Sequence, residues 1–345
     1  MQRNLKNIVL VLALATGCAQ KANSPSPRLV ERAAPSMGSE LRLSVWTVDE
    51  SGPLATFEAI FREFDRLEGV MSTWKDGSEI QLLNAAAGKH AVPVSKEIRD
   101  VLRAARQMSE WTAGKFDVTW GVMSGLWKFD YQNKDSSIPD SGEVARRKKL
   151  IGYRELEVDE QAGTAFIHRA GMVVNLGGIG KGYAVDRARD ILLERGFRDF
   201  MIQFGGDLYV AGKSGDRPWR LGIQDPRGSG DEIFASVELS DSTFSTSGDY
   251  ERFFVKDGRR YHHILDPATG EPAQGSRSVT ILARSAAIAD GLSTGVFILG
   301  PEAGMALIER LPDVEGIIVG SNNKVLVSSG LEGRFTLLAS PTDAP

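Results

Sequence analysis

Val173 to Arg195 reads VVNLGGIGKGYAVDRARDILLER. Two β-branched residues lead into a cluster of glycines, after which alanine, valine, isoleucine and leucine recur at helical spacing among charges. The stretch therefore predicts a strand, a tight turn and a helix. Phe200 to Gly212 (FMIQFGGDLYVAG) and Trp219 to Ile223 (WRLGI) follow as short β-like runs. Turn signals stand at Gly205-Gly206-Asp207 and at Asp225-Pro226-Arg227.

Upstream, Leu41 to Val48 predicts a strand. Leu54 to Val70 carries Phe57, Ile60, Phe61, Phe64 and Leu67 at helical spacing. Lys96 to Trp111 predicts a second helix, with Ser95 as N-cap and Ile98, Val101, Leu102, Ala105 and Met108 facing inward. Downstream, Ser278 to Leu282 predicts a strand and Ala287 to Leu299 a buried helix. A further helix is expected from Pro301 to Leu311, with closing strands between Ile317 and Val327. Helices and antiparallel-looking strands are intermixed without regular βαβ alternation. The expected fold is α+β, one large domain over residues 37–340 with mixed, largely antiparallel strands and flanking helices. At 345 residues the chain exceeds the ~100–200 typical of a domain but stays within reach of one such unit.

Hydrophobic residues make up 42% and charged residues 25%, as in an ordinary globular chain. The formal net charge of -4 removes any global basic field for nucleic acid. At the N-terminus, Arg3 and Lys6 precede an apolar run from Ile8 to Ala15, which predicts a secretory signal over residues 1–17. The run is shorter than the ~20 residues a membrane-spanning helix needs. Ala15-Thr16-Gly17-Cys18 resembles the lipobox of bacterial lipoproteins, with Ala15 in place of the usual leucine. Lipidation would cap Cys18, the only cysteine, which cannot form an internal disulfide. Residues 18–36, with Ser24, Pro25, Ser26, Pro27 and Pro35, are expected to be the lipidated cysteine and a tether. Such a chain would sit on the extracytoplasmic face of a bacterial membrane, held by its lipid alone.

Three constellations carry chemistry. Gly177 to Gly182 (GGIGKG) lets backbone N–H groups approach a phosphate, and Lys181 adds a point charge. It matches neither the P-loop nor the dinucleotide GxGxxG pattern, and a tight strand-to-helix turn explains the glycines equally well. Asp290 and Thr294 share one face of an apolar helix, which suits either a hard cation with oxygen ligands or an aspartate N-cap. Tyr261 to Gly270 (YHHILDPATG) sets two of the four histidines beside an aspartate and a proline-led turn, where a neutral imidazole could take a proton from a hydroxyl. Trp74 is one of six tryptophans that could stack on a heterocycle.

These segments, in this order, resemble the FAD:protein FMN transferases, the bacterial flavin-transferring lipoproteins. The blocks are SMGS from Ser36, MSTWKDGSEIQLLN from Met71, GKFDVT from Gly114, NLGGIGKGYAVD from Asn175, FGGD from Phe204, GIQDPR from Gly222, TSGDYER from Thr246, YHHILDPATG and ADGLST from Ala289. The resemblance implies an enzyme dependent on Mg²⁺, with Mn²⁺ as the alternative. It would bind FAD, split the pyrophosphate, release AMP and attach FMN to a Thr or Ser hydroxyl of a partner protein, expected to be a membrane-associated redox subunit. It implies FAD contacts at Met37, Trp74, Lys115, Phe116, Asp117, Asn175, Lys181 and Ile264. It implies metal contacts at Asp290 and Thr294 with the main chain of Gly178 and Ser293, and a base at His263, with His262 as a supporting neighbour. Asn175 stands where the family usually has aspartate and Gly180 where it has alanine. The chain lacks the family's acceptor pattern, Asp-x-Ser/Thr-Gly-Ala-Ser/Thr, so self-flavinylation is not expected. An FAD pyrophosphatase and a non-catalytic flavin-binding lipoprotein are the rival functions.

Overall fold

Two short-period amphipathic patterns, one of period 2 and one of period 3.6, divide this chain between a sheet and the helices that cover it. The computed structural model describes residues 26–129 and 136–344. Cys18 and the expected signal segment lie outside the described residues.

In chain order the elements begin with β1 (Arg28–Ser36), β2 (Ser39–Thr47), α1 (Ser51–Met71), α2 (Glu79–Ala85), β3 (Val92–Pro93) and α3 (Lys96–Trp111). Next come α4 (Ser141–Lys148), β4 (Leu156–Asp159), β5 (Thr164–Ile167), α5 (Gly180–Glu194), β6 (Phe200–Phe204), β7 (Asp207–Ala211) and β8 (Trp219–Gln224). Then follow β9 (Ile233–Leu239), β10 (Ser242–Gly248), β11 (Phe253–Lys256), β12 (Arg259–His262), β13 (Leu265–Asp266), β14 (Glu271–Pro272) and β15 (Ser276–Leu282). The chain closes with α6 (Ala286–Leu299), α7 (Pro301–Ile308), β16 (Glu315–Gly320), β17 (Val325–Val327) and β18 (Phe335–Leu337).

The main sheet has eight strands in the order β1-β2-β6-β7-β10-β15-β16-β17, and every neighbouring pair is antiparallel. Alternation along β6 decides its two faces: Phe200, Ile202 and Phe204 point into the helical core, while Met201 packs toward the opposite side. The helical core gathers Phe57, Ile60, Phe64 and Leu67 from α1 and Ile98, Val101, Leu102, Ala105 and Met108 from α3. On the other face a three-stranded sheet, β18-β9-β8, packs Trp219, Ile223, Phe234 and Val237 against Val210, Ile317 and Val319. The molecule is thus helices, large sheet and small sheet in three layers, an α+β arrangement as expected.

Ser95 caps α3 by accepting the amide of Ile98. Two expectations need correction. Residues 28–36 of the expected tether form β1, which pairs residue by residue with β2 from Arg28↔Thr47 to Ser36↔Ser39. Only Val30 of that strand is buried, so as an edge strand it lacks the alternation that marks a half-buried one. The strand expected before the glycine turn is a single bridge between Val173 and Trp120, because Asn175 N–H bonds the carbonyl of Val118 and turns the chain inward.

Helices α5 and α6 meet at unusually short range. A Cβ added to Gly182 would lie 2.2 Å from the carbonyl oxygen of Ala286 and 2.8 Å from the amide nitrogen of Ala287. Asp186, one turn on, accepts the amides of Ala286 and Ala287 at 2.9 and 3.1 Å and the Ser285 hydroxyl at 2.7 Å, capping α6 from a neighbouring helix. Gly182→Ala should lower the unfolding free energy by about 1–3 kcal/mol, since backbone rather than a flexible side chain opposes the new methyl. Gly69→Ala in α1, where nothing lies within 4 Å, should raise it by about 0.5–1 kcal/mol. Urea unfolding of the two variants checks this opposition of sign.

Candidate functional site

The α5–α6 contact also builds the site. Asn175 Oδ1 accepts the amide of Gly177 at 2.8 Å, and the amides of Ile179 and Gly180 return to the carbonyl of Leu176. The turn is thereby pinned at both ends, with its glycine backbone bare. A Cβ at Gly178 would stand 3.3 Å from Phe116 and 3.7 Å from the Thr294 hydroxyl, so the turn faces α6 directly. α3 and the loop after it approach the same helix, since Gly291 and Gly295 lie against Met108, Thr112 and Phe116.

Asp290 is mid-helix, because the N-cap of α6 is Ser285; the capping alternative is overturned. Its carboxylate is 5% exposed and its Oδ2 accepts the amide of Gly182 at 3.0 Å. Burial pushes the Asp290 carboxyl well above its usual range, the nearby Asp207 charge adds to that, and Lys181 opposes it. Lys181 Nζ binds Asp207 Oδ2 at 2.7 Å. Burial alone would lower the Lys181 pKa, but Asp207 and Asp290 reverse the balance and hold the ammonium charged. Asp207 Oδ1 in turn accepts the Ser245 hydroxyl across the sheet at 2.5 Å. Ser293, buried, donates to the carbonyl of Asp290, and Ser247 reaches Ser293 and Thr294 at 2.8 and 3.3 Å.

A buried carboxylate beside a second carboxylate, facing hydroxyls and a bare glycine turn, is a set of hard oxygen donors without sulfur or imidazole. That chemistry fits Mg²⁺ or Mn²⁺. Among the described residues no three or more His, Cys, Asp or Glu side chains gather as a metal centre. A cation here would therefore depend on hydroxyl and main-chain oxygens as well as Asp290.

The two histidines divide cleanly. His262 donates from Nε2 to the carbonyl of Ala273 at 2.7 Å and accepts the amide of Ile264 at Nδ1, so both ring nitrogens are occupied. His263 is held by its backbone amide on the carbonyl of Arg252, and its Nδ1 has no partner among the described residues. The β11–β12 hairpin that carries them rests on stacked rings of Trp127, Phe129, Phe254 and Tyr261. Desolvation, then the charges of Arg252, His262 and Lys181, push the His263 imidazole down to about 3, which leaves it neutral. Asp266 in the following turn accepts Lys115 Nζ at 2.7 Å, tying that turn to the loop after α3.

The remaining expected contacts are dispersed. Met37 sits half-buried in the β1–β2 turn with a φ of 44°. Trp74 is 81% exposed, a ring free to stack. Phe116 and Ile264 are buried. Asp117 spends its carboxylate inside the protein, accepting from the Thr119 amide and hydroxyl and the Tyr153 amide, so its side chain braces the loop. In the sequence Ser247 and Arg252 stand out only as members of matching blocks, and Asp207 only there and in a turn signal. Spacing could not assign them, because Lys181 meets its Asp207 partner across 26 residues.

The depressed pKa has a direct consequence. Between about 6.5 and 3 the unfolded chain takes up a proton at residue 263 that the folded chain refuses, so this histidine subtracts stability as pH falls through that window. NMR titration of the His263 ring should show the neutral form persisting below pH ~5. A midpoint near the ordinary histidine value would contradict the described environment.

Residues 37–318 match the ApbE family model. An FAD:protein FMN transferase of Klebsiella pneumoniae (strain 342) is 31% identical over 314 residues, covering 91% of this chain and 96% of that protein. The crystal structure of the ApbE protein from Thermotoga maritima is 33% identical, with a TM-score of 0.80 over 88% of this chain and 98% of that one. The flavin transferase ApbE from Vibrio cholerae is 29% identical, with a TM-score of 0.79 over 89% and 99%. With the family pattern spanning the domain and the same fold beneath it, the chain belongs to the ApbE family.

Proposed function

We propose that the chain is an FAD:protein FMN transferase, which moves FMN from FAD to a Thr or Ser hydroxyl of an acceptor protein and releases AMP. The observation that carries this reading is the pairing of two opposites in one site. A buried carboxylate on α6 faces a bare glycine turn, and a neutral imidazole with an unpartnered nitrogen stands under the influence of the same lysine. The first suits a cation and a pyrophosphate, and the second suits an incoming hydroxyl.

Asp290 and Thr294, with the main chain of Gly178 and Ser293, would hold Mg²⁺. When bound, the ion neutralises charge on the phosphate oxygens. The residues of the chain supply the rest. In the glycine turn before α5 the amides of Gly177, Ile179 and Gly180 are held within the protein, which leaves the Gly178 amide for a phosphate oxygen, and Lys181, steered by Asp207, adds a positive charge there. His263 takes the proton from the acceptor hydroxyl as its oxygen bonds to the FMN phosphorus. The bond to the bridging oxygen breaks, and AMP departs with that oxygen. Anionic substrate offsets Arg252 and Lys181, two of the groups that depress the His263 pKa, so the imidazole becomes a stronger base once FAD is in place.

The acceptor is a separate flavoprotein, because this chain lacks the acceptor pattern. Lipidation of Cys18 and residence on the extracytoplasmic face belong to the same proposal and rest on the sequence around Ala15-Thr16-Gly17-Cys18. Among the described residues no helix is long and apolar enough to cross a membrane, so attachment would come from the lipid.

Incubation with FAD, Mg²⁺ and an acceptor flavoprotein should add the mass of FMN to the acceptor and release AMP. Free FMN in the absence of acceptor, with no transfer in its presence, would instead mark a pyrophosphatase. Asp290→Asn should lower the transfer rate by about a hundredfold or more, and chelation of divalent cations should do the same to the wild type. His263→Asn should lower kcat by about a hundredfold while leaving the KM for FAD close to that of the wild type, since the imidazole acts on the acceptor.

A further inference from the structure

On the sheet face opposite the helices lies a groove of 1180 Å³ that the transfer chemistry leaves unused. One wall is β8, the outermost strand of the β18-β9-β8 sheet, which among the described residues pairs only with β9. Trp219, Arg220, Leu221 and Gly222 all line the groove in succession. Neighbouring side chains of a strand point to opposite faces, so a wall made of consecutive residues runs along the strand's edge rather than over one face. Along that edge stand main-chain N–H and C=O groups that β9 does not use. Natural proteins cover or blunt such edges; here mid-strand Gly222 is exposed, with only the Ile233 side chain of β9 lying against it.

One end of the groove is formed by residues that flank the site in sequence. Its lining includes Gly206, Thr246 and Glu251, the sequence neighbours of Asp207, Ser247 and Arg252. Gly205 and Gly206, both exposed, form the β6–β7 turn at the end of the main sheet, directly before Asp207, which holds Lys181. At 1180 Å³ the groove exceeds the roughly 300–1,000 Å³ of small-molecule pockets. Six residues of β8 also match the usual length of a paired strand.

We propose that β8 is the docking edge for the acceptor protein. An extended segment of the acceptor pairs with Trp219–Gln224 as a fourth strand of the small sheet, and the residues that follow round the end of the main sheet past the Gly205–Gly206 turn to bring the acceptor hydroxyl to His263. Main-chain pairing supplies affinity for varied sequences, while the distance from β8 to the site selects which hydroxyl is modified. This assignment rests on the transferase reading above.

The probe is a synthetic peptide carrying Asp-Ala-Ser-Gly-Ala-Thr with a β-forming N-terminal flank, and an inert analogue with alanine in place of its serine and threonine. With FAD present, the inert analogue should slow amide hydrogen exchange in residues 219–224 and leave the exposed β1 edge unaffected. Gln203→Trp, an exposed position on the facing wall, should fill the groove. It should raise the KM for the reactive peptide by about tenfold, with the KM for FAD and the melting temperature near wild type. FMN transfer to the peptide by wild type, with β8 unprotected and the peptide KM of Gln203→Trp unchanged, would overturn the docking edge and leave the transferase standing. Absence of transfer by wild type to either the peptide or an intact acceptor flavoprotein would overturn the transferase reading itself.

Discussion

The approach of α5 to α6 at Gly182 is the contact on which the remainder of this molecule depends. A hydrogen in place of a side chain lets the first turn of α5 meet the backbone of Ala286 and Ala287. Two interactions exploit that closeness. Asp186 of α5 satisfies the otherwise orphaned amides at the start of α6, and the Gly182 amide satisfies the buried carboxylate of Asp290. Packing and site construction are therefore one event. Lys181 emerges from the same turn and is aimed by Asp207 from the sheet below.

Around that crossing, each layer contributes something the others cannot. The helical core fixes α3 and α6 through glycines, which brings the Lys115–Asp117 loop beside Gly178 and Thr294. The large sheet contributes Asp207 and Ser247 from neighbouring strands, where Ser245 stands opposite Asp207 in register. The β11–β12 hairpin, seated on its stacked aromatics, presents one histidine locked by two hydrogen bonds and another left open. The charges interlock: Lys181 is held by Asp207 and feels Asp290, and Lys181 and Arg252 both act on the imidazole.

Much of this was legible in the sequence wherever the pattern was local. α1 and α3 declared themselves by apolar spacing, Ser95 by its place before Lys96, and the α+β class by the absence of βαβ alternation. His262 and His263 differ in the structure in that the first ring has both nitrogens occupied while Nδ1 of the second has no partner among the described residues. What stayed illegible was long-range. Asp290 read equally as cap or ligand because the true cap, Ser285, gains its support from Asp186 across 99 residues. Asp207 hides its role for the same reason, since Lys181 and Ser245 come from other elements, and Asp117 does so in part, through the Tyr153 amide. β1 passed for tether because an edge strand with one buried side chain carries little periodicity.

As a transferase site, the α5–α6 crossing would hold a cation and a phosphate beside the neutral imidazole of His263. Anomalous diffraction from crystals grown with FAD and Mn²⁺ tests it most directly. One strong manganese peak is expected at about 2.0–2.3 Å from the Asp290 carboxylate, with Thr294 and the main chain of Gly178 around it and the pyrophosphate against the glycine turn. A manganese peak away from Asp290, or a pyrophosphate bound far from Gly178 and Lys181, would contradict it.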